Sequence, residues 1–102
     1  MTRFMPFLAI AVLALFLWTE QGDAADRQNG RQLYEIHCME CHGQNGNSID
    51  PMTPSFASGD VLFLMDSELL DRIRDGKDGM PAFRGMLSDY EIRDVIAYLR
   101  TF

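Results

Sequence analysis

The sequence predicts an all-α domain in which about three main helices are joined by long loops that wrap around a large ligand. Three segments place apolar residues at helical spacing and begin or end at recognisable capping residues. No run of alternating apolar and polar residues is flanked by hairpin signals, so strands are not expected. Two irregular segments separate the helices, and loops of that length are uncommon in a small domain unless they serve a site.

The N-terminal segment is predicted to be a secretory signal peptide, not a part of this domain. Residues 1–3 give a short positive start, and an uncharged apolar run follows from Phe4 to Trp18. That run is shorter than the roughly 20 residues that a membrane-spanning helix needs. Small residues cluster around Ala24, as is typical of a cleavage site. We expect residues 1–24 to be removed on export and residues 25–102 to form the domain, with an uncleaved membrane anchor as the alternative.

The first predicted helix runs from about Asp26 to Cys41. One side of it collects residues at helical spacing, namely Gly30, Leu33, Tyr34, His37, Cys38 and Cys41. A long loop of Gly, Asn, Pro and Ser residues follows from Gly43 to Asp60.

The second predicted helix begins near Asp66 or Ser67, either of which is a good N-cap, and ends at Gly76. Its apolar residues are Leu69, Leu70 and Ile73. The third begins with a capping box formed by Ser88 and Glu91. Its apolar stripe consists of Ile92, Val95, Ile96 and Leu99. The irregular segment GKDGMPAFRGML joins these two helices.

Charge and size exclude some classes of function. The chain of 102 residues has a formal net charge of −6, which argues against nucleic acid or an anionic membrane surface as its partner. The predicted domain of residues 25–102 is small enough that its core is marginal, and such domains often need a disulfide, a metal or a cofactor. The two cysteines, Cys38 and Cys41, are too close in sequence for a disulfide between them to stabilise the fold. We therefore expect a cofactor to fill the core.

The stretch IHCMECHGQ, residues 36–44, holds both cysteines and both histidines. A redox dithiol would place its cysteines at a helix start within a strand–helix–strand unit, which this pattern lacks. A structural zinc site needs four converging ligands, but neighbours such as His37 and Cys38 point about 100° apart on a helix. Covalent haem explains the whole motif. Cys38 and Cys41 lie one turn apart, so both thiols can bond to the porphyrin, and His42 can bind the iron. The motif predicts one haem c attached through Cys38 and Cys41.

On these motifs the chain resembles the class I cytochrome c family. GRQLYEIHCMECHG is similar to the family's glycine, Leu-Tyr pair and C-x-x-C-H-G motif. DGMPAFRGMLSDYEIRDVIAYLR is similar to the family's Met-Pro followed by a capped last helix. The resemblance implies a small cytochrome c fold around one covalently bound haem. It also implies that the first and last helices cross where Gly30 meets Tyr98 or Leu99.

The iron needs a second protein ligand opposite His42. His37 would have to pass through the attachment helix to reach that face, whereas a methionine sulfur suits ferrous iron and raises its reduction potential. The candidates are Met39, Met52, Met65, Met80 and Met86. Met65 is expected to pack in the core. The resemblance selects the methionine of Met-Pro, which is Met80, and Met86 is the main alternative.

Supporting roles also follow from the resemblance. A prolyl carbonyl is expected to accept a hydrogen bond from Nδ1 of His42. The PSF stretch favours Pro54 for this role, and Pro51 is the alternative. The residues expected to line the haem are Phe56, Leu69, Ile73, Phe83 and Ile96.

The expected function is one-electron transfer in an exported respiratory or dehydrogenase chain. Protein ligands on both faces of the iron leave no open position for a substrate, and no nucleophile–base pair remains, so we do not expect an enzyme. A permanently bound or membrane-tethered haem subunit of an oxidase or dehydrogenase complex is the alternative, and a gas-binding or peroxidatic haem protein is a third possibility. We expect a periplasmic location, redox proteins as partners, and membrane association only through the N-terminal segment.

Overall fold

The computed structural model describes residues 24–102. The predicted signal peptide, except for its last residue, lies outside this part. The helical elements are α1 (Arg27–His37), α2 (Met39–His42), a 3₁₀ turn (Phe56–Ser58), α3 (Asp66–Asp75) and α4 (Asp89–Leu99). In residues 24–102 the only β-type pairings are two isolated bridges, which confirms the all-α prediction. None of the helices in this range is long and apolar enough to cross a membrane.

The start of α1 is bound to the last helix. The Asp26 carboxylate accepts hydrogen bonds from the backbone N–H groups of Gln28 and Asn29, at 3.0 and 3.1 Å, as an N-cap should. The Asp94 carboxylate accepts from the Asp26 N–H at 2.7 Å and from the Asn29 side-chain amide at 2.9 Å. A residue of α4 therefore holds the cap of α1 in place.

The predicted first helix is interrupted at Cys38. This residue has φ −120° and ψ −31°, and it ends α1 and begins α2. Its N–H donates to the Tyr34 carbonyl at 2.8 Å, while its own carbonyl accepts from His42 N–H at 3.0 Å. The prediction of one continuous helix to Cys41 is wrong at this residue, so the periodicity of α1 does not set the directions of the side chains in α2.

The second predicted helix corresponds to α3, and its N-cap is Met65, not the predicted Asp66 or Ser67. Met65 occupies the N-cap position without a side-chain hydrogen bond to the helix. The carboxylate of Asp66 instead accepts from Nη2 and Nε of Arg100, at 2.7 and 3.2 Å. The predicted helix end is confirmed, because Gly76 follows α3 with φ 73°.

The predicted capping box of α4 is confirmed. The Glu91 side chain accepts from the Ser88 N–H at 3.0 Å, and Ser88 Oγ accepts from the Glu91 N–H at 3.1 Å. The helices α1 and α4 cross at Gly30, where a Cβ atom would lie 1.9 Å from the Asp94 carbonyl oxygen. The resemblance implied Tyr98 or Leu99 at this contact, so the crossing is confirmed and its position is corrected to Asp94 and Val95.

The core consists of two clusters of buried side chains. The first contains Leu69, Ile73, Phe83, Leu87, Ile92 and Ile96. The second contains Tyr34, Phe56, Val95 and Leu99. Half-buried Leu33 and Val61 pack against both clusters. The predicted apolar stripe of α4 is thus buried, and it divides its residues between the two clusters.

Candidate haem site

The two cysteines lie at α2: Cys38 is its N-cap residue, and Cys41 lies within the helix. They do not form a disulfide with each other; Cys38 is half-buried and Cys41 is exposed. Burial raises the pKa of the Cys38 thiol to about 11, and the nearby Cys41 adds to this effect. Reactive redox cysteines have lowered pKa values. This environment therefore argues against a redox dithiol.

His42 is buried and oriented by one hydrogen bond. Its Nδ1 lies 3.0 Å from the carbonyl oxygen of Pro54, so Pro54 and not Pro51 makes the expected contact. A neutral ring that donates from Nδ1 keeps its lone pair on Nε2, which is the form that binds a metal. Burial lowers the pKa of His42, although the bond to Pro54 acts in the opposite direction. The buried ring is therefore suited to be a metal ligand.

An aromatic side chain covers one face of the His42 ring. The ring of Phe56 stacks on it with centroids 4.5 Å apart and planes inclined by 22°. Phe56 belongs to the 3₁₀ turn that follows Pro54. One short segment therefore contacts both the edge and the face of the imidazole.

Tyr34 holds the backbone immediately after His42. Its side chain is fully buried, and its hydroxyl donates to the Gly43 carbonyl at 2.6 Å. Burial raises the pKa of Tyr34 to about 12, which keeps the hydroxyl protonated as a donor. The sequence placed Tyr34 on the inner side of the first helix but gave it no hydrogen-bonding role. The available signal was a hydroxyl group on the side of the first helix that also carries the attachment motif.

Met80 lies at the end of a tight two-residue turn. Lys77 and Met80 exchange backbone hydrogen bonds of 3.2 and 2.9 Å, and both residues between them have positive φ, with 48° at Asp78 and 91° at Gly79. An Asp-Gly pair is typical of this kind of turn. The half-buried Met80 side chain packs against the first core cluster.

The connector that carries Met80 is fastened to the end of α3. The N–H groups of Phe83 and Arg84 donate to the carbonyls of Ile73 and Arg74, at 3.1 and 3.0 Å. These bonds satisfy carbonyl groups that a helix end leaves free. The position of Met80 is therefore set by the C-terminus of α3.

Three of the four other methionines in residues 24–102 are exposed. Met52, Met65 and Met86 are 88%, 65% and 60% exposed. The expectation that Met65 packs in the core is therefore wrong. Met39 is half-buried but belongs to α2, within the attachment motif. His37 is half-buried on α1, with its ring edge-on to Phe83 at 5.8 Å.

The residues present fit a covalently bound haem. Two cysteine side chains lie in the same motif as an imidazole that is oriented through Nδ1, and the half-buried thioether of Met80 lies against the first core cluster. All of the side chains expected to line the cofactor are buried, namely Phe56, Leu69, Ile73, Phe83 and Ile96. Within residues 24–102 no group of three or more His, Cys, Asp or Glu side chains is placed to hold a metal ion.

Comparisons with known proteins identify the family. Residues 25–99 match the family model described as cytochrome c oxidase, cbb3-type, subunit III. Cytochrome c6 from Thermosynechococcus vestitus is 37% identical over 101 residues, covering 95% of this chain and 88% of that protein. Cytochrome c6 from Thermostichus vulcanus is 36% identical over 101 residues with the same coverage.

Solved structures agree with these relatives. The KustC0563 c-type cytochrome superposes with a TM-score of 0.63 at 28% identity, over 72% of this chain and 95% of that chain. Cytochrome c6 from the diatom Phaeodactylum tricornutum superposes with a TM-score of 0.59 at 30% identity, over 76% of this chain and 93% of that chain.

These findings confirm the predicted cytochrome c fold, the haem c cofactor and the role of electron carrier. The matched family model is described by an oxidase subunit. A permanently bound subunit is nevertheless not favoured, because the chain spans most of the length of small cytochromes c6. The haem supplies one-electron redox chemistry when bound. The chain belongs to the class I cytochrome c family, and it is a small monohaem c-type cytochrome that carries electrons.

Proposed function

We propose that this protein is an exported one-electron carrier whose iron is bound by His42 and Met80, with the haem held by Cys38 and Cys41. The observation that carries the proposal is the 3.0 Å contact between His42 Nδ1 and the Pro54 carbonyl. Because Nδ1 donates in that bond, Nε2 of the buried, neutral imidazole is left as the ligand atom. In the sequence, His42 lies at i+4 from Cys38 and next to Cys41.

Burial and backbone geometry support Met80 as the second ligand. A thioether ligand must reach the iron from a sheltered, fixed position, and Met80 is half-buried at the end of a turn fixed by two hydrogen bonds. Met86 is 60% exposed, so its side chain lies mostly in solvent. The thioether of Met80 would stabilise ferrous iron and raise the potential.

Electron transfer without catalysis is the expected chemistry. With His42 and Met80 both bound, no iron position is open to a substrate. The side chains around the proposed ligands are mainly hydrocarbon, so the cofactor would be shielded from water. The fixed ligands on both sides would let the iron change its oxidation state with little rearrangement of the protein.

The cellular setting follows from the N-terminal sequence. A positive start, the apolar run from Phe4 to Trp18 and small residues near Ala24 support cleavage of residues 1–24 and a periplasmic domain of residues 25–102. The partners would then be redox proteins of a respiratory or dehydrogenase chain. Membrane association would occur only if the N-terminal segment stayed attached. N-terminal sequencing combined with the intact mass would test cleavage and haem attachment together.

The ligand assignment is tested by a pair of methionine variants. Met80→Ala should abolish the far-red absorption band of a ferric haem with a sulfur ligand, lower the potential, and let carbon monoxide bind. Met86→Ala is the matched control, and its exposed side chain predicts a stability change within about 0.5 kcal/mol. If Met86→Ala loses the band while Met80→Ala keeps it, the assignment of Met80 is wrong.

A further inference from the structure

The orientation of the His42 ring requires more than its hydrogen bond. The χ2 torsion of a histidine side chain has broad minima, so the covalent geometry alone does not define the plane of the ring. The contact of Nδ1 with the Pro54 carbonyl fixes one point on the ring edge at 3.0 Å. The ring could still tilt about that bond. A hydrogen bond tolerates a range of angles, so a contact on the ring face would restrain the plane further.

Phe56 provides this contact. Its ring lies against the imidazole with a centroid separation of 4.5 Å and an interplanar angle of 22°, within the offset-stacked range of aromatic pairs. The ring of Phe56 is itself enclosed. Phe102 lies nearly parallel to it at 6.1 Å and 20°, and Tyr34 meets it edge-on at 6.3 Å and 62°. Phe56 is only 6% exposed, so it has little freedom to rotate away.

The backbone that carries Phe56 is held on both sides. Ser55 N–H donates to the Asp60 carboxylate at 3.0 Å, and Ala57 N–H donates to the Gly46 carbonyl at 3.1 Å. The Ser55 hydroxyl also accepts from the Ser48 N–H at 3.0 Å. The segment that presents the Pro54 carbonyl and the Phe56 ring to His42 is therefore anchored as a unit.

We propose that Phe56 is a positioning residue that fixes the plane of the His42 imidazole. The inference rests on the proposed role of His42 as an iron ligand and goes beyond it, because it assigns to one side chain the part of the ring orientation that the Pro54 hydrogen bond leaves free. In a ferric low-spin haem, the orientations of the ligands, including the plane of the histidine ring, affect how the unpaired electron is distributed over the porphyrin. That distribution sets the order of the haem methyl resonances in the proton NMR spectrum.

The test compares Phe56→Leu with two other variants in the haem-loaded protein. Phe56→Leu removes the flat face but leaves the site apolar, and it should change the order of the haem methyl resonances and shift the reduction potential. Phe56→Tyr keeps a flat ring and should retain the wild-type order. Val95→Ala removes apolar atoms from the same cluster at a residue that is 1% exposed, and it should lower stability while leaving the methyl order unchanged.

Each outcome supports or overturns the proposal. If Phe56→Leu keeps the wild-type methyl order while it loses stability as Val95→Ala does, Phe56 is only a packing residue. A wild-type protein whose ferric spectra show no histidine ligand would overturn both this inference and the proposed function. A normal histidine–methionine spectrum with an unchanged Phe56→Leu pattern would overturn this inference alone. If Phe56→Leu does not yield folded protein, Phe56→Ile is a second variant without a ring and is judged by the same resonances.

Discussion

Replacing Tyr34 by Phe would remove one buried hydroxyl from the contact between α1 and the residue that follows His42. The Tyr34 hydroxyl donates to the Gly43 carbonyl at 2.6 Å, and the side chain is 0% exposed. The aromatic ring, which contacts Phe56, Tyr98 and Phe102, stays in the variant. The substitution therefore isolates the hydrogen bond from the packing.

The expected loss follows from the buried carbonyl that the variant leaves behind. The Gly43 carbonyl would keep only its long hydrogen bond from the Gly46 N–H, at 3.4 Å, so the loss is that of one buried hydrogen bond, about 0.5–1.5 kcal/mol. In a domain of this size, each kcal/mol lowers the melting temperature by about 4–8 °C. Tyr34→Phe should therefore melt a few degrees below the wild type near neutral pH. Circular dichroism of both holoproteins during thermal or urea unfolding would measure the difference.

Ionisation of the Tyr34 hydroxyl leads to a second prediction, on how stability changes with pH. Burial raises the pKa of Tyr34 from 10.0 to about 12. A group whose pKa is raised by folding gives stability that is complete below the unfolded pKa and lost as pH rises through the folded one. A shift of about two units corresponds to roughly 2–3 kcal/mol. The advantage of wild type over Tyr34→Phe should therefore shrink between pH 10 and about 12.

Tyr90→Phe is the matched control, because the Tyr90 side chain is 64% exposed. Its loss of stability should stay within about 0.5 kcal/mol, with no added pH dependence relative to wild type. The reasoning about Tyr34 is refuted if Tyr34→Phe matches wild type in stability at neutral pH. It is also refuted if the difference between them stays constant as the pH rises.

Three further predictions concern attachment, helix crossing and partner encounter. Cys38→Ala and Cys41→Ala should each reduce the recovery of holoprotein, measured by haem-shifted mass, and normal loading of the double variant would contradict covalent attachment. Gly30→Ala should unfold at lower urea concentration than wild type. Alanine gains about 1 kcal/mol in helix propensity, but its Cβ would lie 1.9 Å from the Asp94 carbonyl oxygen. Gln32→Ala, on the exposed side of α1, is the control and should change the stability little. Electron transfer to a basic partner should slow as salt rises, because screening acts over about 8–10 Å, and a flat rate would indicate apolar docking.

Local signals in the sequence were sufficient for α4, whereas the contact that orients His42 was not among them. The capping box of Ser88 and Glu91 involves residues three apart, and the apolar stripe depends only on helical periodicity. The proximal contact of His42 with Pro54 came from the family resemblance. These features could be predicted because each depends on neighbours in sequence or on a motif with fixed spacing.

Distant contacts decided the features that could not be predicted. Asp66 is a good N-cap in isolation, but its carboxylate is bound by Arg100, 34 residues away. Gly30 was expected near Tyr98 or Leu99, but it meets Asp94, whose carboxylate also holds the cap of α1. Helical periodicity alone does not tell where two helices cross. The break at Cys38 likewise leaves no signal in the hydrophobic pattern.

The last helix packs against both parts of the structure that carry the proposed iron ligands. Residues Ile92 and Ile96 of α4 belong to the cluster beside Met80, whereas Val95 and Leu99 belong to the cluster that contains Phe56. Beyond its end, Arg100 donates to the carbonyls of Leu62 and Leu64 and to the Asp66 carboxylate, which ties the entrance of α3 to the same helix. Because α4 contributes side chains to both clusters, it links the side of the core that carries Met80 to the side that carries Phe56, the residue stacked on His42.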